Sequence, residues 1–193
     1  PWLDDFFISE LPVTAAQYLR YLNDLAADEP EEAARRVPRR GPEEGAYWRL
    51  GDDGVFIIPE VDPEGDHHDP QWPVLAVSWD DARAYCAWLS ERDGRTYDLP
   101  SEDQWEKAAR GADGRYYPWG NRFDPALTNM KDSRERAGPV PAHSLLMDSS
   151  PYGVRGLAGN AEEWCRDSTR DSRGSVVVRG GSWKANAVAA RAA

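Results

Sequence analysis

Three stretches of the chain repeat apolar residues at the three- and four-residue spacing of an amphipathic helix. They lie within residues 14–30, 77–94 and 100–111, and each has a serine or threonine at its first or second position that can cap free backbone N–H groups. We therefore predict three helices. Their core-facing residues are expected to be Tyr18, Tyr21, Leu22 and Leu25 in the first, Ala82, Cys86 and Leu89 in the second, and Trp105, Ala108 and Ala109 in the third.

Between the helices the pattern predicts short strands and long loops. Runs of β-branched and aromatic residues predict strands within 4–14, 54–61 and 175–183. Residues 28–54 are charged and broken by proline and glycine, so we expect a surface excursion there. We find no internal repeat and predict an α+β fold, one domain over 1–193, with two to three helices, small antiparallel sheets and high loop content.

Composition and charge limit the classes of partner that the protein is expected to bind. The formal net charge of −11 over 193 residues disfavours binding to a phosphate backbone, so we expect no nucleic-acid partner. No apolar run approaches the roughly 20 residues that span a bilayer, so we expect no membrane insertion. The two cysteines, Cys86 and Cys165, are too few for a disulfide scaffold, and either two buried thiols or one disulfide fits the pattern.

Six stretches, read in order, carry a family resemblance: FFISELPVT, PVLAVSWDDARAYCAWL, LPSEDQWEKAARG, YPWGN, YGVRGLAGNAEEW and VVRGGSW. Together they resemble the formylglycine-generating enzyme family, also called sulfatase-modifying factors. The resemblance implies a variant of the C-type lectin fold. It also implies a fragment truncated at both ends, because the family's glycine-rich strand before FFIS and its final Gly-Phe-Arg strand are missing.

The resemblance assigns catalysis to two cysteines that follow the Gly-Gly-Ser turn and bind copper(I). Thiolate sulfur is the ligand that copper(I) prefers. Ser182 stands at the family's serine, but Ala185 and Ala190 stand at the two cysteine positions. We therefore expect no copper and no formylglycine generation by this chain. The resemblance also gives no support for the activity of the family's iron-dependent sulfoxide synthases. Their iron-binding histidines come largely from an additional helical domain, which this sequence does not contain.

Calcium is the cofactor that the resemblance leaves in place. Asn160 and Glu163 match one family calcium position, and Asn129 with the carbonyl of Met130 matches a second. The residues by themselves also fit another interpretation, in which Asn160 caps a turn and Glu163 pairs with Arg179, and both stay open. The GDHHDP stretch contains Asp66, His67, His68 and Asp69, whose side chains are of types that can bind a metal ion. We expect this stretch to be a solvated loop rather than a metal site.

The stretch after the Gly-Gly turn is the predicted ligand-facing surface, and its small side chains indicate binding rather than chemistry. It comprises Ser182, Trp183, Lys184, Ala185, Asn186, Val188 and Ala190. The leading hypothesis is a non-catalytic ligand-binding or sensory module, such as the C-terminal domain of a bacterial serine/threonine kinase, which would be cytoplasmic. The alternatives are a copper-dependent formylglycine-generating oxidase and a retroelement-diversified variable binding protein.

Overall fold

The computed structural model of the chain describes residues 2–41, 45–61, 65, 67–131, 133–135, 137–168 and 175–192. They fall into two compact units, one of Val13–Tyr97 and one of Pro1–Pro12 together with Asp98–Ala193. Each unit has its own hydrophobic core. The candidate site lies entirely in the second unit.

The unit Val13–Tyr97 is mainly helical. Its elements are α1 (Ala15–Asp28), α2 (Pro30–Arg36), α3 (Trp79–Asp93) and the antiparallel strands β1 (Arg49–Leu50) and β2 (Phe56–Ile57). The predicted caps explain where α1 and α3 begin. The Thr14 hydroxyl accepts from the Gln17 N–H at 3.3 Å, and Ser78 does the same for Asp81 at 3.1 Å.

Aromatic rings form the core of this unit. The Tyr18 ring lies 5.3 Å from that of Tyr21 and 5.8 Å from that of Tyr85. On α3 it is Tyr85 that is buried, whereas the predicted face of Ala82, Cys86 and Leu89 is half-buried. The helix prediction is therefore confirmed, but its inward face is rotated by one position.

The expected surface excursion over 28–54 needs correction. It contains α2 and β1, and its residues Ala33, Val37 and Trp48 are buried in the same aromatic core. Glu31 and Glu32 at the start of α2 and Arg35 and Arg36 at its end suit the helix dipole, so a highly charged segment still forms a helix. Charge alone therefore does not identify a loop.

The second unit holds α4 (Glu102–Arg110) and an antiparallel pair, β3 (Glu163–Ser168) and β4 (Val176–Arg179). Glu163 lies opposite Arg179 in the register of this pair. Two short 3₁₀ turns, Pro125–Leu127 and Ala142–Ser144, interrupt the long loops.

The core of the second unit forms where α4 lies against β3. Its central side chain is Trp105, which is fully buried beside Leu157 and Cys165. The two cysteines do not form a disulfide: Cys165 is a buried thiol and Cys86 of α3 is half-buried.

The remaining strand predictions have mixed outcomes. The strands within 54–61 and 175–183 are confirmed as β2 and β4. The stretch 4–14 forms no regular strand and contributes only an isolated bridge from Thr14 to Pro73. Among the described residues no helix is long and apolar enough to cross a membrane.

Candidate functional site

The turn at Gly180 and Gly181 builds the site. Both residues have positive φ, +87° and +71°, which side-chain-bearing residues rarely adopt. A Cβ on Gly181 would lie 2.9 Å from the carbonyl oxygen of Ala189. Glycine therefore lets the chain after β4 double back against itself.

Backbone hydrogen bonds fix the returning segment to loops from elsewhere in the unit. The Trp183 N–H donates to the Asn160 carbonyl at 3.3 Å, and the Lys131 N–H donates to the Ala185 carbonyl at 3.1 Å. Further on, the Ala192 N–H donates to the Tyr116 carbonyl at 2.9 Å. The segment is an anchored surface although it contains no regular element.

The two alanines at the cysteine positions have different surroundings. Ala190 is fully buried with Tyr117, Met130 and Ala158, and Ala185 is half-buried against the same cluster. The prediction that Ala190 faces a ligand is therefore corrected, because its side chain faces the core.

The other predicted ligand-facing residues remain accessible to solvent. Lys184, Asn186 and Val188 are exposed, whereas Ser182 and Trp183 are half-buried. The Lys184 ammonium lies 4.7 Å from the Trp183 ring centroid, which is cation–π geometry. These residues form a mixed polar and apolar outer surface.

A cleft of about 300 Å³ opens beside the Gly-Gly turn. Of the predicted ligand-facing residues, Val188 alone lines it. Glu162 and Arg191 add opposite charges, and the Arg191 guanidinium also lies 5.3 Å from the Tyr116 ring centroid. Among the described residues, the lining comprises Glu162, Val178, Arg179, Gly180, Gly181, Val188, Ala189 and Arg191.

Sequence reasoning missed most of this lining. Glu162 lies within the motif GNAEEW and Arg191 lies eight residues after GGSW, but nothing in this spacing predicts that they meet at one cleft. Only the folding back at Gly181 brings them together.

Two buried asparagines lie under the site. The Asn129 side-chain amide donates to the Asn160 Oδ1 at 2.9 Å, and the Val140 N–H donates to the same oxygen at 2.9 Å. The Asn160 amide in turn donates to the Val140 carbonyl at 3.0 Å. Only 1% of Asn129 and 2% of Asn160 is exposed.

Three of the oxygens that the family resemblance assigns to calcium already accept hydrogen bonds within the protein. Asn160 Oδ1 already accepts two N–H groups, the Met130 carbonyl accepts from the Ser133 N–H at 3.0 Å, and Glu163 Oε2 accepts from the Trp105 indole at 2.7 Å. Calcium binds through several oxygen ligands with lone pairs directed at the ion. This donor arrangement does not fit calcium.

The other interpretation of these residues predicts partners that differ from those observed. Asn160 has the positive φ of +65° that is common in turns, but its side chain bonds to Asn129 and Val140 rather than capping a turn. Glu163 pairs with Trp105, while the Arg179 guanidinium donates to the Glu102 carboxylate instead.

A buried carboxyl that the sequence did not single out lies near Glu163. Asp148 is fully buried, its Oδ2 accepts from the Ala158 N–H at 3.0 Å, and its Oδ1 has no hydrogen-bond partner among the residues that the structure describes. Burial raises the pKa of Asp148 to about 7. Burial likewise raises the pKa of Glu163 to about 7, and the neighbouring Asp148 charge adds to that rise.

The GDHHDP stretch belongs to the other unit. His67 is exposed, and the His68 ring lies 5.8 Å from Tyr47 and 6.2 Å from Trp72. Asp66 lies outside the described residues. Within the described part of the chain, no three His, Cys, Asp or Glu side chains are grouped to hold a metal ion.

Comparisons with known proteins agree with this architecture. A family model described as Sulfatase-modifying factor enzyme 1-like domain matches residues 1–193. The chain is 37% identical over 155 residues to Inactive C-alpha-formylglycine-generating enzyme 2 of Bos taurus, covering 74% of this chain and 46% of that protein. It is 32% identical over 173 residues to Serine/threonine-protein kinase Pkn1 of Chlamydia trachomatis, covering 86% of this chain and 23% of that protein. The chain thus spans less than half the length of these two relatives.

A solved structure shares the fold. PvdO from Pseudomonas aeruginosa superposes with a TM-score of 0.68 at 21% identity, covering 95% of this chain and 70% of that one. The predicted C-type-lectin-like α+β fold is confirmed. The match of the family model over the whole sequence shows that this chain belongs to the sulfatase-modifying factor enzyme 1-like family.

Proposed function

We propose that the chain is a non-catalytic ligand-binding or sensory module on this scaffold. The observation that carries the proposal is the pair Ala185 and Ala190 at the positions of the family's copper-binding cysteines, with Ala190 buried in the core. Alanine supplies no sulfur and no ionisable group. The likeness to a relative named inactive supports the same conclusion.

The chain's own thiols are poor substitutes. Cys165 is fully buried in the core of the second unit, and burial raises the pKa of its thiol to about 12. The thiol is therefore protonated at neutral pH, whereas copper(I) binds the thiolate. Cys86 lies on α3, in the other unit.

The cleft beside the Gly-Gly turn is the binding surface that we favour. Its volume of about 300 Å³ is at the lower end of the roughly 300–1,000 Å³ of small-molecule sites. Two valines, two glycines and an alanine line it together with one acidic residue, Glu162, and two arginines, Arg179 and Arg191. These described lining residues can orient a ligand, and they include no nucleophile and no paired acid and base.

The likeness to Pkn1 supports a proposal about context. The chain matches 23% of that kinase, so the match is consistent with a module attached to a kinase domain. On this proposal the module is a C-terminal domain of a bacterial serine/threonine kinase and lies in the cytoplasm. Binding of a ligand in the cleft would then change the activity of the attached kinase domain.

A second candidate function is a diversified variable binding protein. The favouring observation is that exposed positions alternate along the returning segment, at Lys184, Asn186 and Val188, while the residues between them are half-buried. Such a surface accepts substitutions without disturbing the core. Sequencing many isolates tests this idea, because diversification predicts changes concentrated at these three codons.

Blocking the cleft tests the proposed function. Ala189 lines the cleft and is exposed, so Ala189→Trp fills the space with little effect on the core. Ala27→Trp on the exposed face of α1 is the matched control. We expect small molecules that shift the melting temperature of the unchanged protein to lose their effect in Ala189→Trp and keep it in Ala27→Trp. Equal binding by both variants would contradict the cleft as the site.

A further inference from the structure

We propose that the buried amide pair of Asn129 and Asn160 holds the loops of the site together in place of a metal ion, so that the binding surface is ordered without calcium. The pair connects four parts of the chain, at residues 129, 138–140, 160 and 183. Besides bonding to each other, the asparagines bond to Gly138, Val140 and Trp183.

The hydrogen bonds assign the amide orientations. The Asn129 amide nitrogen donates to two oxygens, Asn160 Oδ1 at 2.9 Å and the Gly138 carbonyl at 3.0 Å. Asn160 Oδ1 faces the Val140 N–H, which can only donate. Rotating either amide by half a turn would bring two donors or two acceptors together, so the network has one consistent arrangement.

The backbone is adapted to the pair. Asn160 adopts a φ of +65°, which asparagine tolerates better than most side chains. Its N–H donates to the Asn129 carbonyl at 2.7 Å. Gly159 admits this approach, because a Cβ there would lie 2.6 Å from the same carbonyl oxygen.

The arrangement disfavours a cation for an electrostatic reason. Two N–H groups direct their positive ends at Asn160 Oδ1, so an ion at that oxygen would meet the hydrogens of Asn129 and Val140. Replacing them would leave two buried donors without acceptors, which is costly. The nearby Met130 carbonyl and Glu163 carboxylate already accept from Ser133 and Trp105.

The network extends to the proposed binding surface. The Asn160 carbonyl accepts from Trp183, and Lys131, two residues after Asn129, donates to Ala185. The amide pair therefore positions the start of the segment that turns beside the cleft. The importance of this segment for a ligand rests on the proposed function, whereas the absence of a calcium requirement does not.

The first test is thermal unfolding of the unchanged protein in excess EGTA and in excess CaCl₂, together with a calorimetric Ca²⁺ titration. We expect melting temperatures that agree within about 1 °C and no binding heat. A structural calcium site occupied at a hundred times its dissociation constant would instead raise the melting temperature by roughly 5 to 10 °C. Such a rise would overturn the proposal.

The second test is the variant Asn160→Asp, which keeps the shape, removes the amide donor and adds a charge. An amide pair predicts a lower melting temperature that Ca²⁺ does not restore, and about tenfold faster hydrogen exchange at the Trp183 N–H. A calcium site predicts the opposite, because a carboxylate is the stronger ligand and Ca²⁺ would restore stability.

Asn121→Asp is the matched control, since Asn121 is exposed and its Oδ1 accepts from the Tyr116 N–H. It should leave both readouts unchanged. If Asn160→Asp does not fold, the Ca²⁺ titration of the unchanged protein still decides the question. These outcomes do not depend on whether a ligand for the cleft is found.

Discussion

The indole N–H of Trp105 donates to the Oε2 of Glu163 at 2.7 Å, which links α4 to the first residue of β3. Trp105 is fully buried, so its polar atom needs a partner inside the protein. This bond gives Glu163 a structural role and joins the two elements that carry the core of the second unit.

Trp105→Phe should therefore be strongly destabilising. It leaves the Glu163 carboxylate without its indole donor and opens space in the core, at a cost of about 2 to 4 kcal/mol. Trp2→Phe is the control, because Trp2 is 92% exposed and the same change there should cost no more than about 0.5 kcal/mol. Urea denaturation of both variants is the measurement, and equal midpoints would refute the role of the bond.

Asp148 makes stability depend on pH in a defined direction. Its folded pKa of about 7 lies above the ordinary value of 3.8, so the folded state binds the proton more tightly. The contribution of Asp148 to stability is complete below about pH 4 and is lost as the pH rises through 7. The loss is at most about 1.4 kcal/mol per pH unit over that interval.

The variant Asp148→Asn tests the predicted direction of this pH dependence. The variant should be more stable than the unchanged protein at pH 8, and the difference should shrink as the pH falls toward 5. Asp4→Asn, at an exposed aspartate, should show no such trend. A difference that grew toward acid pH would mean that Asp148 is charged in the folded protein.

The helices could be predicted from sequence because their signals are local. Thr14 with Gln17 and Ser101 with Gln104 are three residues apart, and both capping boxes form. By contrast, Asn129 and Asn160 are 31 residues apart, and their pairing depends on how the loops between them fold. The family resemblance marked these residues but assigned them to calcium rather than to each other.

The sequence also did not predict which residues of the irregular segments are buried. The charged segment 28–54 supplies Trp48 to the core, and Asp148 is fully buried although an acidic residue in a loop is usually exposed. From the sequence, an alanine at position 190 indicates only that no sulfur ligand is present there. That its side chain faces Tyr117 and Met130 follows from the turn at Gly181.

Gly181→Ala should disrupt the returning segment. A methyl group at a φ of +71° and 2.9 Å from the Ala189 carbonyl oxygen is strained both in the backbone and by contact. We expect a loss of more than about 1 kcal/mol and faster hydrogen exchange over residues 182–190. Gly45→Ala is the control, because a Cβ there meets no atom within 4 Å. Matching exchange in the two variants would show that the turn does not hold the segment.

The most direct test of the central claim, that this scaffold binds without catalysing, is an anaerobic copper(I) titration followed by assay of a sulfatase-motif peptide that carries its cysteine. A catalytically active family member serves as the positive control. We predict no thiolate-type copper binding and no formylglycine product, because Ala185 and Ala190 replace the two ligands. Tight copper(I) binding together with oxidation of the peptide would contradict the account and assign the chemistry to other thiols.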